Sequence, residues 1–202
     1  MQAPAIHYNR LDELEDFPNM ILKLILFLLF ISNIAQANNQ FINYYVFKWI
    51  DEQPDVVESY LLKSIPNAEA AYILGTLYLG EYNFPKDLKK ANYYLTMSAA
   101  QNNPAAIYSI GDGYYCGDIR EKNLQKALEY YEKAAKLGYG PAQFNAGIIL
   151  LNTGKSEMEL KRAIFWLDKA SKNLDDLNSM TISAKKYKLD AKNKILKLKK
   201  TN

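Results

Sequence analysis

Apolar, aromatic and small residues return along this chain with a period of 36. The register holds between positions 68 and 174 across three copies, without a gap. A fixed period of this length is typical of repeat proteins, in which each copy is one supersecondary unit. The exact register argues against three unrelated amphipathic hairpins. The columns comprise Ala70, Ala106 and Ala142; Tyr72, Tyr108 and Phe144; Gly75, Gly111 and Gly147; Lys90, Lys126 and Arg162; Ala91, Ala127 and Ala163; Tyr94, Tyr130 and Trp166; and Ser98, Ala134 and Ala170.

The first half of each copy predicts a helix, which in the first copy covers about residues 68–79. Tyr72, Gly75 and Leu79 are three or four positions apart, so they share one helix face. A glycine inside a helix costs about 1 kcal/mol relative to alanine. Its return in every copy indicates that a neighbouring helix approaches closely at this position.

The second half of each copy predicts another helix, beginning near Asp87, Asn123 and Glu159. Acidic and amide side chains at a helix start accept hydrogen bonds from the first N–H groups. A helix pair of this length cannot bury its own apolar faces, whereas stacked pairs can. The sequence therefore predicts an all-α fold, an α/α superhelix (solenoid) of helix-turn-helix repeats, with three clear copies and capping helices.

These columns resemble the Sel-1-like repeat, a relative of the tetratricopeptide repeat. The first copy departs from the pattern at Ser98 and Asn102, and the third has Leu150 and Leu174 in place of its tyrosine and last glycine. The resemblance implies a non-catalytic scaffold that binds another protein or peptide and needs no cofactor. It also implies, for exported bacterial members, a part in host interaction or envelope function. The middle copy matches best, with Ala106, Ile110, Gly111, Tyr114, Gly117, Lys126, Ala127, Tyr130, Tyr131, Lys133, Ala134, Ala135 and Gly138.

The segment before the repeats predicts export. Residues 24–31 form an apolar run of 8 residues, far short of the roughly 20 that span a bilayer as a helix. Such a run suits a signal peptide, and small residues follow it at Ala35 and Ala37. We place cleavage after Ala37, which predicts a periplasmic or secreted protein with no stable membrane insertion after cleavage.

The first 19 residues do not fit a signal peptide, because they carry four acidic side chains and one basic one. Translation from Met20, followed by Lys23, would give the expected basic start. We therefore interpret residues 1–19 as a mis-assigned extension and residues 20–37 as the signal peptide. The alternatives are an uncleaved membrane anchor and a cytosolic adaptor with a misread N-terminus.

We assign the three repeats to residues 68–103, 104–139 and 140–174. The segments on either side of them are predicted to be caps. Residues 38–67 look like a degenerate leading repeat, and residues 175–202 predict a capping helix rich in lysine. The lysines could bind an acidic partner, anionic lipid or nucleic acid, and export makes nucleic acid the least fitting. We favour the alternative that they form the solvated face of a capping helix that turns Tyr187, Leu189, Ile195, Leu196 and Leu198 inward.

The residue types limit the chemistry that the chain can perform. It has one histidine, His7, and one cysteine, Cys116, so no internal disulfide or cysteine-based metal site can form. Without a nearby base the thiol is an inert group, and we expect it to be buried. Surface carboxylates such as Asp112, Asp118 and Glu121 leave open an enzyme that acts on cell-wall polymer.

Tyrosine is common, with 16 copies, and its apolar ring with a polar tip suits binding faces between helices. First helices usually line the concave face of a solenoid, where aromatic residues anchor partners. We therefore predict a monomeric protein that holds a partner on this face, centred on Tyr108, Asp112 and Tyr115. The full candidate surface is Tyr72, Tyr78, Tyr108, Asp112, Tyr115 and Phe144.

Overall fold

The computed structural model describes residue 50 and residues 53–80, 84–173 and 179–201, which contain eight helices and no strand. This confirms the predicted all-α repeat fold. The proposed extension and signal peptide, residues 1–37, lie outside the described residues, as do residues 38–49, 51 and 52 of the leading segment. The helices are α1 Pro54–Lys63, α2 Ala68–Leu77, α3 Leu88–Ala100, α4 Pro104–Cys116, α5 Leu124–Lys136, α6 Gly140–Thr153, α7 Glu157–Asn173 and α8 Ser179–Thr201.

The helices begin where side chains can satisfy their first N–H groups. Asn67 and Asn103 each accept two backbone hydrogen bonds at the starts of α2 and α4. Asp87 likewise accepts two at the start of α3, and Asn123 accepts one, from the Lys126 N–H, at the start of α5, as predicted. Side-chain acceptance at this position stabilises a helix by about 1 kcal/mol.

Helix α7 begins two residues earlier than the predicted Glu159. The reason is a reciprocal pair of hydrogen bonds: the Glu159 N–H donates to Ser156 Oγ at 3.2 Å, and the Ser156 N–H donates to Glu159 Oε2 at 3.0 Å. This capping box satisfies two N–H groups at once. Glu159 therefore lies inside the first turn instead of preceding it.

Each helix packs against the next one along the chain, so the pairs α2–α3, α4–α5 and α6–α7 stack in sequence order. One apolar core runs through the stack, from Leu95 through Ile107, Tyr131 and Ala163 to Ala191. No single pair encloses this core, which is the packing expected of a solenoid.

The column glycines lie where the two helices of a pair cross. A Cβ added at Gly75 would come within 2.7 Å of Leu95 Cγ, and one at Gly147 within 2.6 Å of Leu167 Cγ. At Gly111 the nearest atoms belong to the ring of Tyr131, at 2.8 Å. The predicted close approach is present, and in each repeat a large side chain of the second helix fills the space.

The other signature residues fill the rest of each crossing. Tyr94 stacks on Tyr78 and Tyr130 stacks on Tyr114, with ring centroids 5.8 and 5.6 Å apart. In the third repeat Trp166 is buried instead, and its indole N–H donates to Glu132 Oε1 at 3.0 Å. The signature alanines beside these rings are fully buried, namely Ala91, Ala127 and Ala163.

Helix α8 packs on α7 and α6, and polar contacts fix its position. Lys188 Nζ is 2.8 Å from Asp168 Oδ1, and Lys194 Nζ donates to the carbonyl oxygens of Leu151 and Gly154 at 2.9 and 3.1 Å. Hydrogen bonds from Lys172 and Lys188 lower the pKa of Asp168 to about 2.

The predicted orientation of α8 is wrong for two residues. Leu189 and Leu196 are 58% and 59% exposed, because Thr181, Ala184 and Ala191 occupy the face that packs on the core. The remaining three residues predicted to face inward are partly buried against the core, namely Tyr187, Ile195 and Leu198. Of the helices in the described ranges, none combines the length and hydropathy that a bilayer crossing requires.

We expect Gly111→Ala to lower the free energy of unfolding by about 1–3 kcal/mol, because the new methyl group overpacks against the buried ring of Tyr131. The loss should exceed the helix-propensity gain of about 1 kcal/mol from alanine. Urea unfolding measures it. The control is Lys133→Ala at an exposed position of α5, which should change stability by less than about 0.5 kcal/mol. A Gly111→Ala protein as stable as the control would contradict this account of the glycine.

Candidate functional site

A groove of about 350 Å³ opens between α2 and α4, the first helices of repeats one and two. Its size falls at the lower end of the range of roughly 300–1,000 Å³ for ligand sites. Both helices, the loops that follow them and Tyr139 in the loop before α6 contribute to its walls. The lining residues are Tyr72, Thr76, Leu79, Tyr108, Ser109, Asp112, Gly113, Asp118, Ile119 and Tyr139.

Asp112 is the half-buried carboxylate of this groove. The hydroxyl of Tyr131, which reaches it from α5, donates to Asp112 Oδ1 at 2.5 Å. Tyr108, one turn earlier on α4, also hydrogen-bonds to Asp112. Asn145 Nδ2 on α6 donates to the Tyr108 hydroxyl at 3.1 Å. Side chains from three helices therefore fix the position of one carboxylate.

Burial determines the protonation behaviour of this cluster. Burial raises the pKa of Asp112, although the hydrogen bonds from Tyr131 and Tyr108 oppose the shift. Burial, reinforced by the Asp112 carboxylate, also raises the pKa of Tyr108, Tyr131 and Tyr139 above the usual value for a phenol. The three hydroxyls therefore stay protonated at neutral pH, and those of Tyr108 and Tyr131 act as donors to Asp112.

The structure brings together three of the six residues predicted for the partner surface. Tyr72, Tyr108 and Asp112 line the groove. Tyr115 lies near it, 45% exposed, with its ring centroid 6.5 Å from that of Tyr131. These four residues lie on the first helices of the first two repeats, and we keep them as the candidate surface.

The remaining two predicted residues lie elsewhere. Tyr78 is only 3% exposed; its hydroxyl donates to Glu58 and accepts from Lys90 Nζ at 3.0 Å. A buried residue with these partners belongs to the core, so we leave it out of the candidate surface. Phe144 packs on Tyr187 of α8, with ring centroids 6.1 Å apart, and this contact covers part of its ring.

Seven of the ten lining residues were not in the predicted set, among them Tyr139 and Asp118. Tyr139 occupies the position at which Asn67 and Asn103 cap the preceding first helices, yet it makes no capping hydrogen bond to α6. Its ring instead lies 5.3 Å from that of Tyr108. A tyrosine in a column of capping asparagines was therefore the available signal. Asp118, in the loop after α4, is exposed at the groove.

Cys116 was expected to be buried, but it is exposed at the end of α4. Desolvation and the nearby carboxylates of Asp118 and Asp112 raise the pKa of its thiol. A thiol with a raised pKa is a poor nucleophile at neutral pH. Among the described residues, no three His, Cys, Asp or Glu side chains are grouped closely enough to hold a metal ion.

We expect Tyr131→Phe to cost about 1–3 kcal/mol of stability, because the buried Asp112 carboxylate loses a donor. The matched control is Tyr130→Phe on the same helix, whose ring stacks on Tyr114 and whose replacement should cost less. Urea unfolding of a double-mutant cycle tests the cause: in an Asp112→Ala background the cost of Tyr131→Phe should nearly vanish. An unchanged cost in that background would show that the hydroxyl acts through some other group.

Comparison with known proteins identifies the repeat. The Sel1 repeat matches at residues 68–103, 104–139 and 140–173. The uncharacterized protein YibG of Escherichia coli K12 is 34% identical over 90 residues, which are 43% of this chain and 49% of YibG. The chain thus spans about half the length of that relative.

Two solved structures have a similar fold. A Sel1 repeat protein from Oxalobacter formigenes superposes with a TM-score of 0.56 at 23% identity, over 65% of this chain and 56% of that chain. The protective antigen c5321 of uropathogenic Escherichia coli strains, which displays an SLR fold, superposes with a TM-score of 0.53 at 20% identity. The match covers 68% of this chain and 33% of that chain. Three consecutive repeat matches cover more than half of the sequence, and the chain therefore belongs to the Sel1 repeat family.

Proposed function

We propose that this chain is a non-catalytic scaffold that binds another protein or peptide in the groove between α2 and α4. Sel1 repeat proteins are generally protein-interaction scaffolds. The observation that carries the proposal is the groove itself, where Tyr72, Tyr108 and Tyr139 surround the half-buried Asp112. Aromatic side chains with a polar tip are preferred anchors for partners.

The fixed geometry of the groove also favours binding. Tyr108 and Asp112 are held by hydrogen bonds to Asn145 and Tyr131, so little side-chain freedom remains to be lost when a partner arrives. Preorganisation of this kind raises affinity by lowering the ordering cost of association. Tyr115, exposed beside the groove, would extend the contact beyond the volume of the groove.

We further propose that the protein acts outside the inner membrane, in the periplasm or after secretion. The support is the short apolar run at residues 24–31 followed by Ala35 and Ala37. The similarity to c5321, described as a protective antigen of uropathogenic strains, fits a part in envelope function or host interaction.

We expect Tyr115→Ala to weaken capture of the native partner from envelope or culture medium by at least about tenfold, the usual effect of removing an aromatic anchor. Its melting temperature should barely change, because the side chain is 45% exposed. The matched control is Tyr93→Ala on α3, which removes a 60% exposed tyrosine of a second helix whose ring packs on Tyr94, whereas Tyr115 packs on Tyr131 beside Asp112. Equal loss of capture in both variants, or in neither, would contradict the assigned surface. An enzyme would instead be favoured if the protein releases product from peptidoglycan fragments and Asp112→Asn abolishes that release.

We expect the native protein to begin at Asn38, because cleavage after Ala37 removes the apolar run. N-terminal sequencing of protein isolated from its host, with fractionation of periplasm and medium, checks this. A Leu28→Lys control interrupts the run and should leave the precursor uncleaved. A native chain that still starts at Met1 or Met20 would overturn the proposal of a cleaved signal peptide.

A further inference from the structure

Asp112 differs in the kind of partner it has from two other partly buried carboxylates of the repeats, Glu132 and Asp168. Glu132 is 2.6 Å from Arg162, and Asp168 is 2.7 Å from Lys172 and 2.8 Å from Lys188. Asp112 instead accepts from the neutral hydroxyls of Tyr131 and Tyr108. Among the described residues that line its groove there is no lysine or arginine.

A carboxylate that is withdrawn from water without a cation carries an uncompensated desolvation cost. The two tyrosine hydroxyls offset this cost only in part, since burial still raises the pKa of Asp112. A carboxylate has about four acceptor positions, so the oxygens can accept further donors from the groove side. The exposed Asp118 adds a second negative charge to the same groove.

We propose that the groove receives a lysine or arginine side chain of the bound partner, with its charged end at Asp112 and its apolar stem along Tyr72, Tyr108 and Tyr139. This inference rests on the proposed function, because it names the partner's chemistry at the same groove. A cation is attracted to aromatic rings as well as to a carboxylate, and the stems of lysine and arginine cover apolar surface while their ends stay polar. Acidic partner side chains are excluded by repulsion from Asp112 and Asp118.

The attraction is local, because the whole sequence carries a net charge of +3. Long-range steering would not bring a basic partner to a basic protein. The groove therefore selects a single basic side chain at close range, framed by the aromatic walls. A partner segment with one basic residue between uncharged neighbours fits this surface better than a strongly basic tract.

The test is a titration of the purified protein with three small probes, followed by NMR shifts of the Gly113 amide and the tyrosine rings. The probes are Nα-acetyl-lysine amide, Nα-acetyl-arginine amide and Nα-acetyl-norleucine amide, the last of which keeps a linear apolar side chain without a charge. We expect saturable binding of at least one basic probe, at least about tenfold tighter than the norleucine probe. Equal binding of all three probes, or no saturable binding, would overturn the inference without any variant being made.

Variants then locate the charge. Asp112→Asn keeps the shape of the side chain and should weaken binding of the basic probe by about tenfold or more. Binding of the norleucine probe should not change. Asp118→Asn should weaken it by a smaller factor, since that carboxylate is exposed. The matched control is Glu121→Gln, an exposed acid that does not line the groove, and it should bind the probes as the unmodified protein does. Identical affinities in Asp112→Asn and Glu121→Gln would overturn the inference.

The outcomes separate this inference from the proposed function. If Tyr115→Ala abolishes capture of the native partner while Asp112→Asn leaves capture unchanged, the scaffold function stands. The inference that the groove receives a basic side chain is then refuted. If the basic probe binds through Asp112 but no partner is captured under any condition, the site stands and the scaffold function fails.

Discussion

The crossing of the two helices in each repeat depends on a glycine that leaves room for one large side chain. Leu95 and Leu167 fill this space opposite Gly75 and Gly147, whereas Tyr131 fills it opposite Gly111. The apolar rings and chains at these crossings belong to the core that joins the repeats. A Cβ at the glycine would displace the side chain that holds the helix pair together, which is why the column is constant over three copies although glycine is a poor helix former.

The middle repeat couples this structural crossing to the candidate site. Tyr131 fills the crossing with its ring and still carries a hydroxyl, which reaches Asp112 on the partner helix at 2.5 Å. At the equivalent positions the first repeat pairs Leu95 with Thr76, and the third pairs Leu167 with Ile148. A leucine could not donate to a carboxylate, so the aspartate and the tyrosine depend on each other. The half-buried charge is accommodated only where the crossing supplies a donor.

The parts that the sequence predicted are those that recur. Columns such as Gly111 repeat because every helix pair needs the same crossing, so the periodicity located the helices. The capping residues Asp87 and Asn123 located the starts of α3 and α5. Tyr139 and Asp112 both line the groove and recur in no other copy. A search for agreement between copies passed over Tyr139, whereas Asp112 was predicted from its place on a first helix. Leu189 and Leu196 were misplaced for a related reason: α8 has no equivalent copy from which its packed face could be read, and its apolar residues lie on more than one side. Tyr78 was misplaced because helix membership alone does not say which residues the next helix covers.

The same cluster carries consequences for both stability and binding. Without a bound partner, the Asp112 carboxylate destabilises the fold locally. Its partners are neutral hydroxyls, and burial disfavours its charge more than the tyrosines favour it. The fold tolerates this destabilising charge because Tyr108, Tyr131 and Asn145, from three helices, hold the cluster in place by hydrogen bonds. Any cation that enters the groove lowers this cost in the folded state and has no equivalent site in the unfolded chain. Occupation of the groove must therefore also stabilise the crossing of α4 and α5. The Asp112 carboxylate thus links partner binding to the stability of the middle repeat.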